Sequence, residues 1–131
     1  SSAASDVYKR QPLTAKKAGL LLRSLEFRVK GYMPGKMRTV LRKYGTTTAL
    51  ADKSIDLVRG YNDVVLDMGS IVLEKGVEYQ LYFAAANNFY PPSVDSSWVA
   101  ANDCIDIAHG SAYYGDNTTL IFSGTVVLQE T

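Results

Sequence analysis

Three observations predict an all-β fold, an antiparallel sandwich or barrel. Apolar residues recur at every second position from Leu21 onward, the period of a strand with one buried and one wet face. Glycine-, proline- and polar-rich turn signals interrupt these runs at short, regular intervals. No segment shows a convincing helical period, and nothing alternates helix with strand as a nucleotide-binding α/β domain would. The size fits one such domain. With 131 residues, 47% hydrophobic and 21% charged, the chain can bury a substantial core without a metal or disulfide staple. That apolar content excludes intrinsic disorder, and no apolar run approaches the ~20 residues of a membrane helix.

The elements follow in order. Ser1–Gln11, reading SSAASDVYKRQ, resembles the translation of a sequencing-library adaptor. It is therefore expected to be a disordered, non-native segment over 1–11, ahead of a single domain over 12–131. On that reading the chain is a fragment cut upstream of Pro12, and a missing signal peptide says nothing about secretion. Leu25, Phe27 and Val29 alternate with Ser24, Glu26, Arg28 and Lys30, which predicts the first clear strand. Gly31–Gly35 closes it. Lys36–Tyr44 is a second strand, with either Val40/Tyr44 or Met37/Leu41 facing inward. Ala49–Arg59 is read as a strand around Ser54–Val58. Val64, Leu66 and Met68 form another, turned at Gly69-Ser70. Ile71 and Leu73 form a short pair before the Glu74-Lys75-Gly76 turn. Tyr79, Leu81 and Phe83 mark the plainest strand of all. Asn87–Ser97, polar, aromatic and proline-bearing, is expected to be a long loop. Short strands at Trp98–Ala101 and Ser111–Tyr114 precede a long one over Thr119–Gln129, which Gly124 allows to bend. The sum is eight or nine short strands.

Two motifs carry a family resemblance. The first is Leu73, Gly76 and Tyr79 leading into Leu81 and Phe83; the second is Asp106, Gly110, Ala112, Tyr113 and Tyr114. Together with the strand order over Ala18–Leu128, they are similar to jelly-roll β-sandwich modules that resemble carbohydrate-binding accessory domains of secreted microbial and phage tail proteins. Two departures stand out. Ile107-Ala108-His109-Gly110 occupies the place of a tyrosine-glycine-glycine style turn, and no second tryptophan precedes the final strand. The resemblance implies a non-catalytic module, extracellular or virion-associated, and a structural calcium as an optional cofactor.

Charge is unevenly distributed. Nine basic residues and one acid lie between Lys16 and Lys43, and no Lys or Arg follows Lys75. Either the basic third is a nucleic-acid face or oppositely charged strands lie side by side. No nucleic-acid-binding motif accompanies the basic residues, so the second reading is adopted and no nucleic-acid partner is expected.

Candidate chemistry is sparse. One thiol, Cys104, and one imidazole, His109, lack any activating context such as Gly-x-Ser-x-Gly, and are read as a buried structural cysteine and a loop histidine. One of each cannot hold zinc. Asp95, Asp103 and Asp106, with Asp116, offer the hard oxygen ligands that calcium takes. Asp103 and Asp106 are too close in sequence to read as a glycosidase pair, and Gly31–Lys36 lacks the length and the following helix of a phosphate loop. The aromatic set says more: nine of the thirteen rings after Gln11 lie between Tyr79 and Phe122. Tyr79, Phe83 and Phe122 fit core positions. Phe89, Tyr90 and Trp98 flank the proline-bearing loop, and Tyr113-Tyr114 must send one ring outward. Flat rings stack on the C–H faces of sugars while Asn87 and Asn88 take hydroxyl hydrogen bonds, so glycan or another surface is the expected ligand. The competing expectation is a structural domain of a virion, phage tail or cell-surface assembly that self-associates through an apolar patch or a sheet edge.

Overall fold

The computed structural model describes residues 7–85, 89–90, 93–94, 100–101, 104–107, 110–113, 117–122 and 124–131, with side-chain surroundings for 12–84, 104–106 and 124–131. Among these residues the fold is all-β, and its strands form two antiparallel sheets. The first six strands are β1 (Val7–Ala15), β2 (Leu20–Gly31), β3 (Gly35–Lys43), β4 (Ala51–Leu57), β5 (Gly60–Leu73) and β6 (Glu78–Ala85). Short pieces follow: β7 (Phe89–Tyr90), β8 (Ser93–Val94), β9 (Ala100–Ala101), β10 (Ile105–Ile107) and β11 (Gly110–Tyr113). Two longer strands, β12 (Asn117–Phe122) and β13 (Thr125–Glu130), close the chain.

The larger sheet runs β4-β3-β6-β1-β11-β12-β8, with β10 continuing the β11 lane against β1 and β9 pairing β10. The smaller sheet runs β13-β2-β5. Because β5 accompanies β2 from Leu20 to Gly31, both β13 and β7 lie along the other edge of β2, with β7 at the Lys30–Gly31 end.

The two inner faces share one core. The larger sheet contributes Leu13, Ala15, Met37, Leu41, Leu57, Tyr79, Leu81, Phe83 and Ile105; the smaller contributes Leu20, Leu22, Leu25, Phe27, Val29, Val64, Leu66, Met68 and Leu73. The alternation read in the sequence is thus the physical partition between core and water, and the ambiguity in β3 resolves to Met37 and Leu41, with Tyr44 exposed.

Several expectations are corrected. Gly69-Ser70 does not turn the chain. β5 continues through it, and the register against β2 slips between Leu22 and Ser24, where Gly69 takes a φ of 72° and its N–H donates to Asp67 Oδ1. The bulge moves the inward positions from Val64, Leu66 and Met68 to Ile71 and Leu73, a change of phase that two-residue alternation mimics as a turn. Thr119–Gln129 is not one strand either. β12 belongs to the larger sheet and β13 to the smaller, so the stretch around Gly124 is a change of sheet. The expected loop over 87–97 contains two strand pieces, β7 and β8, pairing β2 and β12 respectively. Finally, β1 begins at Val7. The backbone of Val7–Gln11, expected to be disordered, is antiparallel to β6 from Val7↔Ala85 to Gln11↔Leu81, which gives β6 a neighbour on both edges.

The opposite-charge arrangement appears, with partners other than the acidic last third. Arg28 pairs Asp63, Lys36 pairs Asp56, Arg38 pairs Asp52 and Lys43 pairs Glu74; of the later acids, Glu130 pairs Lys17. Three of these pairs span neighbouring strands, Arg28 with Asp63 across β2–β5 and Lys36 and Arg38 with Asp56 and Asp52 across β3–β4.

Candidate functional site

The outer face of the smaller sheet carries Tyr61, the most exposed aromatic residue among those described. Strand alternation sends Arg28 and Lys30 of β2 outward because Phe27 and Val29 are buried; on β5 it sends Tyr61, Asp63 and Val65 outward because Val64 and Leu66 are buried. Register then assembles the site: Lys30 faces Tyr61, and Arg28 faces Asp63.

The Tyr61 ring is 67% exposed, with the Arg28 guanidinium and the Lys30 ammonium each 5.5 Å from its centroid. Both cations are attracted by the negative ring face. They differ in their other partners. Arg28 is held by Asp63 through Nε–Oδ1 at 2.8 Å and Nη2–Oδ2 at 3.4 Å. That hydrogen-bonded pairing raises the Arg28 pKa and lowers that of Asp63. Among the described residues Lys30 makes no such ion pair, which leaves its charge available to a ligand.

Asn62 fixes the approach of β5. Its side-chain oxygen accepts from Val58 N at 2.8 Å, while its amide donates to Val58 O at 3.0 Å and Gly60 O at 3.1 Å. Gly60 supplies the positive φ of 99° that this tight connection needs. Gly31, opposite Gly60, has no room for a side chain, since a Cβ there would lie 2.7 Å from Val58 O.

The residues singled out in the sequence are distributed as follows. Tyr90 is the register partner of Lys30 on the edge away from Tyr61, and Phe89 that of Gly31. Tyr61, Lys30 and Tyr90 therefore occupy one level of the sheet. Tyr113 pairs Tyr8 and Asn117 in the larger sheet, whereas β2 and β5 belong to the smaller one. Asn87, Asn88, Trp98, Tyr114, Asp95 and Asp103, like His109 and Asp116, lie outside the described residues. Asp106 is exposed on β10, opposite Thr14 and Ala101, and no group of three potential metal ligands occurs among the described residues. Cys104 is half-buried rather than buried. Tyr61 was missed because it sits one residue past a glycine turn in a strand read chiefly for its inward face; the β2–β5 register, invisible in one sequence, is what sets it beside two cations.

No protein-family model matches the chain, and no curated protein or solved structure is significantly similar to it.

Proposed function

We propose that this domain is a non-catalytic accessory module of an extracellular or virion-associated protein, binding glycan or another surface through the outer face of its smaller sheet. The observation that carries this reading is the row Tyr61–Lys30–Tyr90, in which an open ring stands beside an ammonium that has no carboxylate partner among the described residues and is in register with the aromatic β7 segment. A ring with a polar rim can stack on a sugar face while the ammonium hydrogen-bonds hydroxyl or acidic groups. A jelly-roll-type winding is part of the proposal. It is supported by β2 pairing β5 in one sheet while their successors β3 and β6 pair in the other.

A glycan array with the unmodified domain, Tyr61→Ala and Tyr90→Ala tests the reading. Retention by the unmodified domain and its loss in both variants is the expected result. No retention at all, or equal retention by all three, overturns it.

A second reading, a self-associating structural domain, is favoured by a separate observation: β5 is fourteen residues long and pairs only β2 among the described residues.

A further inference from the structure

We infer that two copies of this chain pair through β5, antiparallel, about a two-fold axis at Asp63; the inference deepens the self-association reading and rests on it. Among the described residues β5 has one unpaired edge, and such an edge presents a row of free backbone donors and acceptors, a template for another strand. Apolar side chains gather beside this edge. Of the eight exposed large hydrophobic residues described, Val58, Tyr61, Val65 and Val72 lie on β5 or just before it.

The occupant and its register follow from side-chain pattern. The bulge at Gly69 shifts the register within β5, leaving Gly60–Met68 as the regular stretch, with Tyr61, Asp63, Val65 and Asp67 outward. In an antiparallel pair, directly opposed residues share a face and interact, and opposed like charges are unfavourable. An axis at Val65 would set Asp63 against Asp67 twice. An axis at Val64 would set Tyr61 against Asp67 and Asp63 against Val65, a charge beside an apolar group each time. An axis at Asp63 sets Tyr61 against Val65 twice, an aromatic–β-branched pair of the kind that stabilises sheets. The one like-charge meeting, Asp63 with its own copy, is offset because each carboxylate is already held by Arg28 at 2.8 Å. The partner that fits is a second copy, because both members of each favourable pair lie on the same strand.

Pairing at the edge leaves the outer face open. The two smaller sheets become one continuous sheet carrying two Tyr61–Lys30 rows, offset by four residues or roughly 13 Å along the strands.

The test uses sedimentation across a concentration series together with symmetric disulfide trapping. Val65→Lys should shift the dimer to monomer, whereas Val72→Lys, beyond the bulge, should leave it unchanged; both positions are exposed, so folding is retained. In a Cys104→Ser background, Asp63→Cys should cross-link on oxidation because directly opposed Cβ atoms come within disulfide reach. Val65→Cys should stay monomeric on a denaturing gel. A chain that remains monomeric at all concentrations overturns both the inference and the self-association reading. Cross-linking at position 65 and not 63, or a dimer indifferent to Val65→Lys, leaves self-association standing and overturns this register.

Discussion

Phe27 and Phe83 meet edge to face across the two sheets, their ring centroids 5.5 Å apart and their planes at 81°. Phe27 comes from β2 and Phe83 from β6, so the contact joins the layers and not merely neighbouring strands. Both rings are buried, and this arrangement suits the aromatic quadrupole. Phe83→Ala should lower unfolding stability by about 3–5 kcal/mol, with Phe27→Ala similar. A double-mutant cycle from urea unfolding should give a favourable coupling of about 0.5–1.5 kcal/mol. Strict additivity would remove the ring contact as an inter-sheet tie.

Thr39 is a polar residue in an apolar place. It lies between Met37 and Leu41 on the inner face of β3, 1% exposed, and its Oγ1 has no hydrogen-bond partner among the described residues. An unpaired buried hydroxyl costs about 1–3 kcal/mol, and valine has nearly the same shape without that cost. Thr39→Val should therefore raise stability by about 1 kcal/mol, visible as a Tm increase of a few degrees. A lower Tm would show that the hydroxyl is satisfied.

Much of the fold was legible because a half-buried strand writes its burial into the sequence at period two. Leu25, Phe27, Leu81 and Phe83 were read as inward and are buried. Failures occurred where the period breaks. The Gly69 bulge shifts the phase of β5, and the Gly124 region passes the chain between sheets, events that resemble a turn and a continuous strand respectively. β1 escapes the sequence reading because Val7–Gln11 is set aside there as adaptor-derived, and Leu13 and Ala15 alone give only two inward positions before the turn at Lys16. The candidate site was less legible. Alternation can place Tyr61 on an outer face, but its neighbours Lys30 and Arg28 lie some thirty residues away and are specified only by register.

Acid should loosen the strand-to-strand ion pairs. The hydrogen bond from Arg38 holds the Asp52 carboxyl below its ordinary pKa, and Arg28 does the same for Asp63. A depressed folded-state pKa means that the unfolded chain binds protons first as pH falls. The pairs thus contribute fully above about pH 4, the ordinary carboxylate range, and lose their contribution as pH drops through the lowered values. Because all four groups are exposed, the effect is small and weakened by salt. Urea midpoints at neutral and strongly acidic pH should fall less in Arg38→Met than in the unmodified chain. An identical fall in both would exclude this pair as a contributor.

The Leu73-x-x-Gly76-x-x-Tyr79 motif has a structural explanation. Gly76 takes a φ of 77°, and its N–H donates to Ala15 O at 2.9 Å, tying the turn to the end of β1. Tyr79 is fully buried, and its hydroxyl accepts from Glu74 N at 2.8 Å. The motif is therefore a self-bracing turn: its glycine permits the reversal and its tyrosine reaches back to pair a backbone donor. Gly76→Ala forces a side chain into the left-handed region and should cost about 1 kcal/mol or more. Tyr79→Phe keeps the ring packing but strands the Glu74 N–H, with a similar cost of about 1–2 kcal/mol. The two effects should be less than additive, because a turn already distorted by alanine no longer presents that N–H to the hydroxyl. Chemical denaturation of both single variants and the double variant measures this, and full additivity would mean that the glycine and the tyrosine act independently.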